Sequence, residues 1–288
     1  MTDFDHIEKV GVIGGGLMGS GITEVTARAG LSTIVVEVTE DAAQAARERV
    51  EGSLRKAEKR GKISAEDVDA TLGRIVFTTE LERLADRDLV VEAASEREDV
   101  KLGLFERLGT ILEQDDAVLT SNTSSIPIVK LGAVSGRADR VMGVHFFNPA
   151  PVMQLVELIP SLTTGESTKA RMQHFVTEKL GKQPIEATDR AGFVVNSLLV
   201  PYLLSAIRMY EAGYASAEDI DKGMVLGCGH PMGPLALSDL IGLDTIRAIG
   251  VSMYDEFKEP LYSPPPLLDR MVDAGLLGKK SGHGFYAY

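Results

Sequence analysis

The segment Lys9-Val-Gly-Val-Ile-Gly-Gly-Gly-Leu-Met-Gly19 decides the fold of this chain of 288 residues. A β-branched strand pattern runs into the spacing Gly14-x-Gly16-x-x-Gly19, and a helical pattern, Met18–Ala29, begins there. In this spacing the first glycine permits a tight turn, the second lets the backbone approach a pyrophosphate, and the third lets helix and strand pack closely. The helix N-terminus favours a bound phosphate. The segment therefore predicts a dinucleotide site inside a βαβ unit.

An acidic residue stands where such a site meets the adenosine ribose. Glu37 lies 18 residues after Gly19, at the end of the next strand pattern. A carboxylate there accepts hydrogen bonds from ribose hydroxyls and repels a 2′-phosphate. Val38 and Thr39 follow, where an NADP site often has an arginine. These residues favour NAD without excluding NADP. The glycine spacing also suits FAD, although no later flavin-type segment follows.

The first 188 residues alternate short apolar strand patterns with longer helical patterns, which is typical of a parallel sheet covered on both faces. We predict a doubly wound α/β fold of Rossmann type with a mostly parallel sheet. The predicted strands are Lys9–Ile13, Thr33–Glu37, Arg74–Phe77, Leu89–Glu92, Ala117–Thr120, Val141–Phe147 and Leu155–Ile159.

The pattern becomes all-helical after residue 188. A long helix is predicted over Phe193–Ala212, with a kink at Val200-Pro201. We therefore expect two domains, 1–188 and 189–288, of which the second is entirely helical.

Composition excludes several classes of protein. Thirty basic against 42 acidic residues give a net charge of −12, which argues against a nucleic-acid binder or a polybasic membrane-surface protein. No apolar run approaches the roughly 18 residues of a membrane-spanning helix. The segment Met1–Lys9 is polar, so no signal peptide is expected. Cys228 is the single cysteine, which excludes an intrachain disulfide and a cysteine zinc site and fits a cytoplasmic protein.

Among five histidines, His145 is the candidate acid/base. It stands at the carboxyl end of an apolar strand pattern, where α/β sheets bind ligands, and imidazole titrates near neutral pH. A structural histidine in the core is the alternative. No two histidines have the spacing of a metal site, so we expect no metal.

The segment Ser121–Ser125 also follows a strand pattern. Its Ser and Thr residues before Ile126-Pro127 predict a helix N-cap with proline in the first turn. No Gly-x-Ser-x-Gly motif is present, so nothing supports a hydrolase.

Taken together, these segments resemble the 3-hydroxyacyl-CoA dehydrogenase family, including its short bacterial 3-hydroxybutyryl-CoA dehydrogenases. The resemblance covers essentially the whole chain. Its motifs are Gly-Gly-Gly-Leu-Met-Gly at 14–19, Val-Glu-Ala at 91–93, Ser-Asn-Thr-Ser-Ser at 121–125, His-Phe-Phe-Asn-Pro-Ala-Pro-Val-Met at 145–153, Leu-Val-Glu at 155–157, Gly-Phe-Val-Val-Asn at 192–196, Pro-Tyr-Leu at 201–203, His-Pro-Met-Gly-Pro at 230–234, Gly-Leu-Asp at 242–244 and Gly-Lys-Lys-Ser-Gly-x-Gly-Phe-Tyr at 278–286.

The resemblance implies a division of labour among these residues. His145 would be the general base that takes the 3-hydroxyl proton, with Glu157 paired to it. Ser124 and Asn196 would hydrogen-bond the reacting oxygen or the thioester. The residues implied in cofactor binding are Gly14, Gly16, Leu17, Met18, Gly19, Glu37, Glu96, Lys101, Asn148 and Lys280. Two departures stand out: Glu37 replaces the family's usual aspartate, and the neighbours of Glu96 differ from the usual Val-Glu-Asn.

A basic stretch within this acidic chain fits the anionic substrate that the resemblance implies. Residues 47–62 contain seven basic and three acidic side chains, a local charge of +4. A solvated helix with i,i+4 ion pairs is one interpretation. The family instead has a helical clasp over CoA here, at about 41–72, with Ser53 and Arg60, and by charge Lys56, as CoA contacts.

The resemblance thus implies an enzyme that interconverts (S)-3-hydroxybutyryl-CoA and acetoacetyl-CoA with NAD. Its second domain would serve the acyl substrate and a homodimer interface. A dehydrogenase of a free hydroxy acid or sugar acid, on the same architecture, is the alternative. A non-catalytic NAD-binding sensor is a more remote one, against which His145 and Glu157 count.

Overall fold

The computed structural model describes residues 7–288, so His6 and most of the polar N-terminal segment lie outside the described residues. The chain divides into two compact units, Met1–Asp189 and Arg190–Tyr288. Each unit has its own core of buried aliphatic side chains. Between residues 7 and 288, no helix combines the length and the apolar character needed to cross a membrane.

The first unit is built on one eight-stranded sheet in the order β3-β2-β1-β4-β5-β6-β7-β8. Neighbouring strands are parallel except for β6 and β7, which confirms the predicted doubly wound, mostly parallel fold. The strands are β1 (Lys9–Ile13), β2 (Ser32–Val36), β3 (Ile75–Thr78), β4 (Leu89–Glu92), β5 (Val118–Ser121), β6 (Val141–Phe146), β7 (Leu155–Pro160) and β8 (Gln183–Glu186).

All seven predicted strands are present, and each end lies at the predicted residue or one residue from it. Strand β8 escaped prediction because Gln183–Glu186 is short, contains Pro184 and lies half-exposed at the sheet edge, where a proline is tolerated. The antiparallel pairing of β6 and β7 follows from their connection, 147–154, which is too short for a parallel crossover.

Helices cover this sheet, and their starts follow local capping chemistry. They are α1 (Leu17–Arg28), α2 (Glu40–Lys59), α3 (Ala65–Leu72), α4 (Glu98–Ile111), α5 (Ile128–Ser135) and α6 (Glu166–His174). Thr39 caps α2, and Ser64 forms a capping box with Asp67 at α3. The predicted clasp region therefore consists of two helices, α2 and α3, and Arg55 of α2 donates a hydrogen bond to Asp69 of α3.

The predicted N-cap of the helix after Ser121–Ser125 is wrong. Helix α5 begins at Ile128, and both oxygens of Asp189 accept hydrogen bonds from its first amides, Ile128 N at 2.8 Å and Val129 N at 2.9 Å. The hydroxyl of Thr123 is turned instead toward its own loop, where it accepts from the amides of Ser125 and Ile126. A cap supplied from 61 residues away leaves no local signal.

The second unit is all-helical. Its helices are α7 (Val195–Glu211), α8 (Ala217–Cys228), α9 (Pro234–Ile241), α10 (Leu243–Phe257) and α11 (Pro266–Asp273). Helix α7 begins two residues later than predicted, because Gly192 and Phe193 both have positive φ values, 82° and 45°. Pro201 lies inside α7 and is buried in the core of this unit.

Two buried aspartates fix the C-terminal segment of the second unit. Asp239 accepts from the amides of Phe285 and Tyr286, both at 2.9 Å, and Asp221 accepts from the Tyr286 hydroxyl at 2.8 Å. Burial and the hydrogen bond to the Asp221 carboxylate raise the pKa of the Tyr286 hydroxyl, so it remains a proton donor at neutral pH.

Candidate active site

The carboxyl ends of the parallel strands gather the predicted site residues at one edge of the sheet. The glycine loop follows β1, Glu37 follows β2, Glu92 ends β4, and Ser121 ends β5. His145 is the fifth of the six residues of β6. Because β1, β2, β4, β5 and β6 are mutually parallel, these ends share an edge, which is where open α/β sheets bind ligands.

The glycine loop, residues 14–19, packs tightly against the protein at Gly14 and Gly19 and has free space beside Gly16. Gly14 has φ 86°, and a Cβ on Gly19 would lie 1.7 Å from the Gly14 carbonyl oxygen. A Cβ on Gly16, in contrast, would meet nothing within 4 Å. Leu17, 68% exposed, and the half-buried Met18 open helix α1 beside the loop. This geometry fits a pyrophosphate that approaches Gly16 and the N-terminus of α1.

Glu37 is oriented by the same loop. Its Oε1 accepts from the amide of Gly15 at 2.6 Å and its Oε2 from the amide of Val38 at 3.2 Å. Arg49 of α2 reaches the other side of Gly15 and donates to its carbonyl oxygen at 2.9 Å. A carboxylate held beside the glycine loop at the end of β2 is a group that could accept hydrogen bonds from a ribose hydroxyl. Arg49 carried no sequence signal, because its approach depends on how α2 packs.

His145 and Glu157 meet across the antiparallel pair β6 and β7. The register places the two residues directly opposite each other, and His145 Nδ1 lies 2.8 Å from Glu157 Oε2. Both side chains are buried, Glu157 completely. Phe147 packs edge-on against the imidazole, with ring centroids 4.8 Å apart. A carboxylate only accepts hydrogen bonds, so it selects the tautomer with the proton on Nδ1.

Glu96 holds the loop that carries Ser124. One of its oxygens accepts from the Thr123 hydroxyl, from Ser124 N at 3.1 Å and from the Ser125 hydroxyl at 2.8 Å. The other lies 3.2 Å from Lys101 Nζ. Burial raises the pKa of the Glu96 carboxyl, but the charge of Lys101 and the two hydroxyls outweigh burial and lower it below the ordinary value. Glu96 is therefore an anion at neutral pH.

Lys101 is buried behind Glu96, with 1% of its side chain exposed. Its ammonium lies 2.7 and 2.8 Å from the two oxygens of Glu92, a buried carboxylate that belongs to the motif at 91–93 but received no role from the sequence. Asn122 was also missed. Its side-chain oxygen accepts from Phe146 N at 2.8 Å and so ties this loop to the strand of His145. Neither residue has a spacing signal, because both act through contacts between strands.

The remaining predicted residues lie on exposed or half-buried positions of their own units. Asn148 is exposed two residues beyond β6. In the second unit, Asn196 is half-buried in the first turn of α7, and Lys280 Nζ donates to Asp244 at 2.7 Å. His230 of that unit lies 3.1 Å from the Tyr202 hydroxyl.

The structure divides the basic stretch 47–62 into two parts. Arg47 packs over Phe77, Arg49 bonds the glycine loop, and Arg55 pairs with Glu58 and Asp69. Arg47 and Arg49 are exposed despite these contacts, and the further exposed residues lie toward the end of α2 and just beyond it: Ser53, Lys56, Lys59, Arg60 and Lys62. Ser53, Lys56 and Arg60 share one face because they are three and four residues apart.

Two family models match the chain, one on each unit. Residues 9–190 match the model described as 3-hydroxyacyl-CoA dehydrogenase, NAD binding domain, and residues 192–288 match the model described as 3-hydroxyacyl-CoA dehydrogenase, C-terminal domain.

Known proteins of similar sequence and structure agree with these matches. A 3-hydroxybutyryl-CoA dehydrogenase of Mycobacterium tuberculosis is 56% identical over 284 residues, which is 99% of each chain. The mitochondrial hydroxyacyl-coenzyme A dehydrogenase of Homo sapiens is 43% identical, covering 98% of this chain and 91% of its own. The crystal structure of (S)-3-hydroxybutyryl-CoA dehydrogenase from Ralstonia eutropha superimposes with a TM-score of 0.92 at 44% identity, over 98% and 99% of the two chains.

Proposed function

Because the chain belongs to the 3-hydroxyacyl-CoA dehydrogenase family, we propose that it interconverts (S)-3-hydroxybutyryl-CoA and acetoacetyl-CoA with NAD as cofactor. One observation carries the proposal: the buried contact of 2.8 Å between His145 Nδ1 and Glu157 Oε2 at the ligand-binding edge of the sheet. A histidine oriented by a carboxylate is the arrangement that proton transfer coupled to hydride transfer needs.

In oxidation, His145 takes the proton of the 3-hydroxyl group. The hydrogen bond to Glu157 keeps the proton on Nδ1, so Nε2 carries the lone pair that accepts it. When His145 becomes an imidazolium ion, the adjacent carboxylate stabilises the charge. NAD, when bound, supplies the hydride acceptor. Reduction reverses these proton transfers, and the imidazolium then protonates the oxygen formed from the ketone.

Further residues are assigned to the substrate side and the cofactor side of this reaction. Ser124, held by Glu96, would donate to the reacting oxygen or the thioester. The glycine loop would hold the pyrophosphate and Glu37 the adenosine ribose. The charge of Glu37 favours NAD over NADP, since a 2′-phosphate beside a fixed carboxylate is repelled.

The exposed basic end of α2 is the proposed CoA contact. Ser53, Lys56 and Arg60 present one hydroxyl and two cations on a single face, and Lys59 adds a third cation nearby. A local positive field steers a polyanionic substrate even when the net charge of the protein is negative. The phosphates of CoA fit this field, whereas a free hydroxy acid does not require it.

We also propose that the enzyme is a cytoplasmic homodimer that associates through its second unit. Leu198 and Leu226, on α7 and α8, are 74% and 73% exposed, and such residues favour burial in an interface. The exposed free thiol of Cys228 suits a reducing compartment. Light scattering after size exclusion tests the dimer, and a monomer at micromolar concentration would contradict it.

The experiment that tests the function compares substrates and cofactors. Purified protein is mixed with acetoacetyl-CoA or free acetoacetate, and with NADH or NADPH, while the nicotinamide absorbance is followed. We expect rapid oxidation of NADH with the CoA ester, slower oxidation of NADPH, and little reaction with acetoacetate. Preferential turnover of the free acid would replace the CoA-ester assignment, and no oxidation of either cofactor would overturn the dehydrogenase assignment.

A further inference from the structure

A buried carboxylate, Glu92, collects more hydrogen bonds than any role described above requires. It is the last residue of β4, and its side chain is completely buried. Its oxygens accept from Lys101 Nζ at 2.7 and 2.8 Å, from Ala94 N at 2.7 Å and from the Ser121 hydroxyl at 2.6 Å. These donors come from α4, from the loop after β4 and from the end of β5.

The contacts of Glu92 close into a ring. The Ser121 hydroxyl, which donates to Glu92, also accepts a hydrogen bond from Thr123 N at 3.2 Å. The Thr123 hydroxyl in turn donates to Glu96. Glu96 lies 3.2 Å from Lys101, which returns to Glu92. The ring therefore fixes the loop 121–125 and Glu96 relative to each other, with Glu92 as the member deepest in the protein.

Stability alone does not explain such a ring. Removing a carboxylate and an ammonium from water costs several kcal/mol per ion, and apolar residues of similar volume often serve the stability of a fold equally well. A fully bonded ion pair does, however, fix orientation more sharply than apolar packing. The pair of Glu92 and Lys101 holds Glu96 and the loop with Ser124. Glu96 is assigned to the cofactor side of the site and Ser124 to the substrate side.

A second connection links Glu92 to the strand of His145. The amide of Asn122 donates to the Glu92 carbonyl oxygen at 2.8 Å, and the side-chain oxygen of Asn122 accepts from Phe146 N. The residue next to His145 is thereby tied to the loop that the ring holds.

We propose that Glu92 is a positioning residue for the cofactor and substrate loops, and that Lys101 acts through Glu96 rather than by direct contact with the cofactor. The three acceptor oxygens around the Lys101 ammonium, two on Glu92 and one on Glu96, match its three protons. The expected effect on turnover rests on the function proposed above. The expected effect on NADH affinity is independent of that function.

The test replaces Glu92→Gln and measures NADH binding by the fluorescence of NADH, without any CoA ester. We expect the Kd for NADH to rise about tenfold, because a charged hydrogen-bond partner of Lys101 is lost and Glu96 is no longer held in place. Glu92→Asp, which keeps the charge, should recover part of the affinity. The matched control is Glu24→Gln, a buried glutamate of α1 that pairs with Arg28 and lies outside the ring.

The control should leave the Kd for NADH within about twofold of wild type. A normal Kd in the folded Glu92→Gln variant would overturn the proposal, and so would an equal loss of affinity in Glu24→Gln. Because binding is measured without substrate, a failure of the proposed acyl-CoA reaction would not be confused with a failure of this inference.

A double-mutant cycle separates the indirect role of Lys101 from a direct one. Lys101→Met alone and together with Glu92→Gln should raise the Kd for NADH by similar factors, because both changes break the same ring. Multiplying effects in the double variant would show that Lys101 contacts the cofactor independently and would overturn that part of the proposal. If Glu92→Gln does not fold, the double variant, which leaves no unpaired lysine, and Glu92→Asp carry the same comparison.

Discussion

At the scale of single residues, the proposed chemistry depends on which nitrogen of His145 bears the proton. Glu157 sets that choice through a contact of 2.8 Å. Sequence analysis singled out His145 by its place at a strand end and joined Glu157 to it only through the family resemblance. The short connection between β6 and β7 accounts for their antiparallel direction, but the register that places the two residues opposite each other is not encoded in local residue patterns.

Glu157→Gln should therefore remove most of the activity without removing the cofactor. A glutamine amide can donate to Nδ1, which favours the tautomer with the proton on Nε2 and disables the base. We expect kcat to fall by about 10² to 10⁴ and the Kd for NADH to stay near wild type. Steady-state kinetics and NADH fluorescence measure the two effects. A kcat within about twofold of wild type would remove Glu157 from the mechanism.

A second prediction concerns Glu96 and acid pH. Its carboxyl has a lowered pKa in the folded protein, so its contribution to stability is complete above the ordinary value of 4.5. That contribution is lost as the pH falls through the lower, folded pKa.

The measurement is the difference in free energy of unfolding between wild type and Glu96→Gln. We expect this difference to be larger at about pH 7 than at about pH 3. A difference that does not change with pH would show that the ionised form of Glu96 is not what the fold stabilises.

At the scale of secondary structure elements, prediction succeeded where the signal is local. Seven strands and the helices of the second unit follow from runs of apolar residues and from their breaks. Strand β8 lacks such a run because its residues lie at a half-exposed edge. The start of α5 was misplaced because Asp189, far along the chain, accepts the hydrogen bonds of its first amides. We expected nearby Ser or Thr side chains to accept them.

Asp189→Ala should accordingly destabilise the first unit. Both carboxylate oxygens accept hydrogen bonds from amides of the first turn of α5. Loss of an N-cap lowers the free energy of unfolding by about 1 to 2 kcal/mol. Chemical denaturation measures this free energy. The exposed Asp115→Ala serves as the matched control and should shift the free energy of unfolding by less than about 0.5 kcal/mol. Equal effects of the two substitutions would contradict the capping role.

At the scale of the whole molecule, the net charge of −12 does not reveal that the protein has a basic surface at α2. Arg47, Arg49 and Arg55 make contacts within the first unit, although Arg47 and Arg49 remain exposed. The other basic side chains of the stretch are exposed toward the end of α2 and just beyond it. Local composition predicted a basic stretch, but it could not tell which side chains fold back onto the protein. That distinction concentrates the proposed CoA contact on Ser53, Lys56 and Arg60.

Charge reversal at this end of α2 should selectively weaken binding of the CoA ester. We expect Lys56→Glu, Lys59→Glu and Arg60→Glu together to raise KM for acetoacetyl-CoA about tenfold or more and to leave the Kd for NADH unchanged. The increase should shrink in high salt, because salt screens exposed charges.

The control for net charge reverses three other exposed residues, Lys9, Arg83 and Arg107. This control should leave KM for the ester near wild type, since the reversed charges are distributed elsewhere. An unchanged KM in the α2 variant, or an equal rise in the control, would contradict the proposed CoA contact.

Both units match one family, as the motifs along the chain imply together. In the proposed reaction, this family member transfers hydride at a centre where His145 moves the proton. The most direct test measures NADH oxidation by acetoacetyl-CoA in wild type and His145→Gln, with the Kd for NADH determined for both. We predict turnover by wild type, a loss of kcat of about 10² or more in the variant, and equal NADH affinity. Undiminished turnover by His145→Gln, or no turnover by wild type, would contradict the proposed reaction.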